Sequence, residues 1–465
     1  MIAFLASVLL GAVDFQPCEV DGQKAECGRV QVPENRAQAR GRIIDLHVAL
    51  IRHDRARQSA DAVFILAGGP GVGATGMAGF AVERFRGASR DLVFVDVRGT
   101  GRSNPLDCDF GGSDENPQQY LNGFVPLERV RACRDALSER ADLTQYTTRA
   151  IVEDLQTVRE KLGYRTIDLY GSSYGTRVAQ EFMRHYPASV RLAILDGVTS
   201  TSMISPASLA PDAQHSLEGV LTLCTSDPEC RAAYPALRDD YQAMVRRVAD
   251  GIQVTILNAK GGEKHHLQLD RGLFGEAFRN FLYRPEVYVK VPYIVHRAAR
   301  GEFEEFGSAA LDYARGIRTL NFGMFLSVTC TEDLPRLDLA ASRQAASGTL
   351  LGTYRIDQQV AACALWPRGV PDPARVSPLR SSIPTLLLSG EFDPVTPPKY
   401  AAEVARTLSN SAHVIVPKGS HANEAGGCLA RISAEAVNEG DVRELDSSCV
   451  RDIAAPSFVL WTEGE

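Results

Sequence analysis

The spacing of apolar and polar positions changes along the chain. Between Gly28 and His53 they alternate, in Arg29-Val-Gln-Val-Pro and again in Ile43-Ile-Asp-Leu-His-Val-Ala-Leu-Ile, with a polar stretch around Asn35 to Gly41 between them. Two period-two runs separated by a turn predict an antiparallel strand pair. Ala62-Val-Phe-Ile-Leu and Leu92-Val-Phe-Val are apolar throughout, the pattern of strands covered on both faces. A helix is expected around Leu127 to Arg140, and a second near Arg149 to Leu162, where Ile151, Leu155 and Val158 recur at helical spacing. Thr166 to Tyr170 then reads as a short strand, Arg177 to His185 as a helix ended by Pro187, and Arg191-Leu-Ala-Ile-Leu as a further strand. Alternation of strand and helix from residue 62 onward predicts an α/β fold with a mostly parallel sheet and helices on both faces.

After Thr199 the pattern changes. As far as about Pro378 the period is helical, most clearly at Tyr241 to Val248 and Leu273 to Leu282, and the one β-rich run is Gln253 to Leu257. This is the pattern of a helical cap inserted into a sheet domain. The sheet is expected to resume at Pro384-Thr-Leu-Leu-Leu, pass through a helix at Lys399 to Leu408, and return at His413-Val-Ile-Val. The expected organisation is a signal segment at 1–17, the first part of the core at 18–198, the cap at 199–378 and the second part of the core at 379–465.

Candidate chemistry collects at strand ends. Gly171-Ser-Ser-Tyr-Gly175 lies between strand and helix, a nucleophile elbow that lifts the Ser173 hydroxyl above the sheet edge. A serine nucleophile needs a base, and the base needs an acid to hold its ring. Asp393 follows one late strand and His421 sits in a glycine-flanked loop after the next, in the order serine, acid, histidine. Asp196, also past a strand, competes for the acid role and is otherwise expected to cap the loop into the cap. Oxyanion donors come from backbone amides. The residue after the nucleophile, Tyr174, supplies one, and Gly69 in the run Gly68-Gly-Pro-Gly-Val-Gly supplies the other. Asp96 and Arg98 are expected to form an ion pair that fixes nearby loops, and His265 and His266 to lie in a polar turn.

The chain has 465 residues, with Lys+Arg 50 against Asp+Glu 57 and a formal charge of -7. It shows no basic run suited to nucleic acid or an anionic membrane surface. Ten cysteines fall into local couples: Cys18 with Cys27, Cys108 with Cys133, Cys224 with Cys230, Cys330 with Cys363, and Cys428 with Cys449. The even count points to disulfides, and the absence of Cys-x-x-Cys or a histidine pair at ligand spacing argues against zinc. No cofactor is implied. Ile2 to Val13 is apolar, too short to span a bilayer and of signal-core length, although no Lys or Arg precedes it and no clean cleavage site follows. Oxidised cysteines and this segment predict export to a periplasmic or extracellular space.

Taken together, Gly68-Gly-Pro-Gly, Asp96-x-Arg-Gly-x-Gly-x-Ser, Gly-x-Ser-Tyr-Gly, Gly-x-x-Asp393 and Gly-Ser-His421 resemble the prolyl-iminopeptidase and tripeptidyl-aminopeptidase group of α/β-hydrolase serine peptidases. Cys27-Gly, the Cys224 and Cys230 couple, Ser327-Val-Thr-Cys-Thr-Glu332, Cys363-x-x-Trp366-Pro and Leu445-Asp-Ser-Ser-Cys449 resemble its secreted tripeptidyl-like branch. The resemblance implies an α/β-hydrolase fold, a triad of Ser173, Asp393 and His421, and oxyanion donors at Gly69 and Tyr174. It implies an exported aminopeptidase acting on peptides, and a cap carboxylate for the substrate amine, for which Glu332 is the candidate. Ala67 departs from the pattern, because iminopeptidases carry His before the two glycines. A carboxylesterase or lipase with the same triad is the alternative, and a non-catalytic protein on this fold is a further one, disfavoured because all three triad residues are present.

Overall fold

The computed structural model describes residues 13–53, 61–257, 264–423, 425–454 and 456–461. Its strands are β1 (Gln16–Val20), β2 (Gln23–Pro33), β3 (Ile43–Ile51), β4 (Asp61–Leu66), β5 (Asp91–Val95), β6 (Thr166–Ser172), β7 (Val190–Asp196), β8 (Ile252–Leu257), β9 (Lys264–Leu269), β10 (Thr385–Gly390) and β11 (Ser411–Val416). Among the described residues nine of them form one sheet in the order β1-β2-β3-β5-β4-β6-β7-β10-β11. The pairs from β1 to β5 are antiparallel, and the rest, from β5 through β4 to β11, run parallel. β4 and β10 are buried at every position, because helices cover both faces of the parallel part.

The helix Thr148–Leu162 shows how local sequence sets these elements. The Thr147 hydroxyl accepts from the Ala150 amide at its start, and Gly163 ends it at φ 76°, a conformation that glycine adopts without steric cost. Its buried stripe, Ile151, Val152, Leu155 and Val158, packs with Val178 and Phe182 of the helix Tyr174–His185 on one face of the sheet. Phe85, Tyr170, Leu192, Leu386 and Ile432 fill the other face.

Between β7 and β10 the chain is mainly helical, as its periodicity predicts, and it has an apolar core of its own around Leu217, Phe274, Phe278 and Phe306. The described structure adds two details. Gln253 to Leu257 has a partner, β9, so His265 and His266 lie in a strand of an antiparallel hairpin rather than in a turn. The helix Phe322–Glu332 packs Phe322, Leu326 and Val328 into the sheet's own core, with Cys363 and Trp366, so the chain rejoins that core well before residue 379.

At the N-terminus the apolar stretch Ile2 to Val13 lies, apart from Val13, outside the described residues. Gln16 and Pro17, expected within a signal segment, instead pair with Cys27 and Glu26 in the sheet. The five cysteine couples are all disulfides: Cys18–Cys27, Cys108–Cys133, Cys224–Cys230, Cys330–Cys363 and Cys428–Cys449. No described helix is long and apolar enough to cross a membrane.

Candidate active site

The carboxyl ends of the parallel strands meet at one edge, and the candidate residues leave from there. The glycine run follows β4, Ser173 follows β6, Asp393 follows β10 and His421 follows β11. Ser173 has φ 54° and ψ -119°, a strained turn for a residue with a side chain. Its neighbours have no room for one. A Cβ on Gly171 would lie 2.5 Å from the Gly175 carbonyl oxygen, and a Cβ on Gly175 would lie 2.1 Å from that of Leu66. The Ser173 amide donates to the Asp196 carbonyl at 2.8 Å, which pins the turn to the end of β7.

His421 is held from several sides. Its Nδ1 lies 3.0 and 2.9 Å from the two oxygens of Asp393. Asp393 also accepts from the amides of Val395 and Thr396, each at 2.8 Å, and from the Thr396 hydroxyl at 2.7 Å. Burial alone would raise the Asp393 carboxyl, but His421 and the Thr396 donors hold it below the usual carboxylate range. Burial likewise pushes the His421 imidazole down, and the Asp393 charge more than offsets this, leaving its pKa above the ordinary 6.5. The ring stands edge-on to Tyr283 with centroids 5.2 Å apart. The Tyr283 carbonyl accepts from the Ala422 amide at 2.9 Å, and the Leu282 carbonyl accepts from the Ser420 hydroxyl.

Ser173 and His421 line a cavity of about 340 Å³ together with Gly68, Gly69 and Tyr174. Gly69 has φ 109°, and Tyr174 opens a helix, where the first amides have no intrahelical acceptor. Both proposed oxyanion positions therefore face the space that Ser173 faces. The cap closes the cavity from the other side with Arg279, Tyr283, Ile317, Leu320 and Arg355.

Two family models match this chain: the alpha/beta hydrolase fold over residues 61–227, and the TAP-like protein family over residues 348–449. The chain has the α/β-hydrolase fold, and its C-terminal part is similar to the TAP-like family. This hydrolase is 23% identical over 437 residues to the serine protease Hip1 of Mycobacterium tuberculosis, spanning 86% of this chain and 83% of the relative. It is 28% identical to a tripeptidyl aminopeptidase of Streptomyces coelicolor over 214 residues, 41% of this chain and 38% of that one. Among solved structures it is similar to a proline iminopeptidase of Mycobacterium smegmatis, at 14% identity and a TM-score of 0.41, covering 89% of this chain and 98% of that one.

Other expected placements in the hydrolase differ. Asp196 turns to the opposite face of the sheet, where its carboxylate accepts from the Tyr170 hydroxyl at 2.8 Å and lies 3.4 Å from buried Arg84, so it neither orients His421 nor caps the loop into the cap. Asp96 and Arg98 do not pair with each other. Asp96 accepts from the amides of Thr75 and Arg102, each at 3.0 Å, while Arg98 clasps Asp154 at 2.6 and 2.8 Å.

Glu332 does not line the cavity. Its two oxygens accept from the amide and hydroxyl of Thr148, at 2.7 and 2.8 Å, and it lies 3.3 Å from Arg375 and 3.7 Å from Arg177. That is a carboxylate closing the first turn of a buried helix, not one kept for a substrate amine. Its neighbour Asp333 does line the cavity but is held by Arg177 at 3.1 and 3.2 Å and by Arg375 at 3.1 Å. Glu218, further along the cap, pairs with Arg238 at 3.0 Å on an exposed surface.

Sequence reasoning missed Arg279 and Arg355, which line the cavity, and Glu276 between them. A signal was present: Glu276 and Arg279 form a charged i, i+3 pair inside the apolar stripe Leu273, Phe274, Ala277, Phe278, a placement that a solvated helix face does not require. Glu181, His185 and Asp372 bring three possible metal-ligand atoms within 4.8 Å of one another, but Arg184 and Arg149 already neutralise the two carboxylates. The cluster reads as an ion-pair network on the elbow helix.

Proposed function

We propose that this hydrolase is an exported serine peptidase that removes residues from the N-terminus of short peptides through an acyl-enzyme on Ser173. The observation that carries this reading is the elbow serine beside an Asp393–His421 pair on the floor of a cavity roofed by the cap. In this reading Asp393 keeps the His421 proton on Nδ1, so that Nε2 takes the Ser173 proton as Oγ attacks the scissile carbonyl. The amides of Gly69 and Tyr174 receive the developing oxyanion, and His421 then protonates the leaving amine. Water repeats the sequence on the acyl-enzyme and restores Ser173. Roofing by the cap favours chain ends and short substrates over internal segments of folded proteins. The names of the relatives, serine protease and tripeptidyl aminopeptidase, support peptide substrates. Five disulfides support an oxidising compartment.

One observation favours carboxylester hydrolysis as a second reading. Among the described residues lining the cavity the sole carboxylate is that of Asp333, and it is held by Arg177 and Arg375, so no ready seat for an ammonium is offered. Parallel assays of chromogenic amides and esters, with free and acetylated amino termini, separate the two. Cleavage of free-amine amides well above esters supports the peptidase; ester cleavage alone rejects it.

A further inference from the structure

We propose that Arg279 and Arg355 form an anion seat in the cap that binds a carboxylate of the substrate, so that this enzyme acts on short peptides carrying a free carboxylate. The proposal rests on the peptidase reading above and adds to it the substrate's charge. Both guanidinium groups line the cavity that holds Ser173 and His421. Both are withdrawn from solvent, with side chains 5% and 7% exposed, and they share one carboxylate, Glu276, which is 0% exposed. A single oxygen of Glu276 accepts from Arg279 at 2.9 Å and from Arg355 at 3.0 Å, while its other oxygen has no partner. Burial alone would raise the Glu276 carboxyl, but the two arginines hold it ionised. The set therefore carries two cations and one anion.

The opposite wall does not cancel that excess. There Arg177 and Asp333 line the cavity, and Arg375 and Glu332 pair with them from behind it, two charges of each sign. Donors are also left over at the seat. A guanidinium has five N–H groups. Arg279 gives one to Glu276 and one to the Tyr283 hydroxyl, Arg355 gives one to Glu276 and one to Gln359, and neither Nε has a partner. The Phe124 ring, 3.5 Å from the Arg355 guanidinium, and the Tyr283 ring, 5.1 Å from that of Arg279, temper the charge without supplying an acceptor. A planar donor set with surplus positive charge in a cavity roofed by the cap fits a carboxylate, which accepts from such a fork through two oxygens.

Two substrate groups share this chemistry: the C-terminal carboxylate of a very short peptide, and an acidic side chain. The test compares kcat/KM for a neutral tripeptide free acid, its C-terminal amide, and an amidated tripeptide containing Glu. A preference for the acids of about tenfold or more is expected, the lower range for a hydrogen bond to a charged group. That preference should fall toward unity in Arg355→Gln and in Arg279→Gln. Preference for the first acid alone assigns the seat to the C-terminus, and preference for the third alone assigns it to a side chain. Should either variant fail to fold, inhibition of wild type decides: hexanoate should compete with a neutral chromogenic amide about tenfold better than hexanamide does. Equal cleavage of acids and amides with equal inhibition by the two, while Ser173-dependent peptide cleavage persists, overturns the anion seat and leaves the peptidase reading standing. A preference that survives both variants also overturns it. If peptides are inert but half-esters of dicarboxylic acids are cleaved faster than their diesters, the peptidase reading fails and the anion seat stands.

Discussion

Ser173 sits at φ 54° whatever side chain it bears, so Ser173→Ala should keep the fold. Turnover should fall by roughly a million-fold, the loss expected when one member of a cooperating triad is removed. A circular-dichroism melt beside an amide assay checks both halves. Asp393→Asn should cost about 10⁴ in kcat, because an amide no longer holds the imidazole in the required tautomer. Asp196→Asn should behave differently. It touches Tyr170 and Arg84 rather than His421, so the melt should suffer, by about 1 to 3 kcal/mol, more than catalysis. The pH profile follows from the same geometry. His421 must be neutral to accept a proton, and Asp393 raises its pKa, so kcat/KM should climb with pH through an apparent value above 6.5. In Asp393→Asn the largest raising charge is gone, leaving burial and Arg279 against the remaining Asp196 charge, so the residual activity should show that limb shifted to lower pH than in wild type. Glu332→Gln should lower stability without changing any preference between free and acetylated amino termini, because its contacts are Thr148, Arg177 and Arg375. The placement of Ser173, Asp393 and His421 at one edge was legible because each lies at or in the loop just past the carboxyl end of a parallel strand. Glu332 was misread because its partners lie 184, 155 and 43 positions away, being residues 148, 177 and 375, and nothing local shows that both of its oxygens are taken.

At the scale of elements, the parallel strands and their helices were legible from period and breakers, since buried strands read as unbroken apolar runs. β9 escaped because Lys264, His265, His266 and Gln268 outnumber its apolar positions, and only pairing with β8 reveals the strand. The packing of the helix Phe322–Glu332 against the sheet's core escaped for a related reason. A helix buried on every face, such as Phe322–Glu332, carries no stripe to say which core it enters. The elbow's close packing gives a direct check. Gly175→Ala would force a Cβ to 2.1 Å from a backbone oxygen of Leu66, and should destabilise the protein by more than about 3 kcal/mol or prevent its accumulation. The Cys330–Cys363 disulfide joins the helices Phe322–Glu332 and Tyr354–Cys363. Replacing both cysteines by serine should lower the unfolding free energy by about 2 to 4 kcal/mol in denaturant titrations. A smaller loss would mean that packing of the two helices already fixes them.

Over the whole molecule, the sheet edge supplies the proposed nucleophile, acid and base, while the cap supplies the charged and apolar roof over them. One of the seams between the two lies beside His421. The carbonyls of Leu282 and Tyr283, just past the cap helix Arg271–Phe281, hold the Ser420 hydroxyl and the Ala422 amide on either side of His421. The loop that sets where His421 stands is thus fastened by the same segment that carries Arg279 into the cavity wall. Anyone transplanting a foreign cap onto this sheet to alter its diet inherits that dependence: the graft must bring two carbonyls to the same spot, or the borrowed selectivity arrives with an idle catalyst.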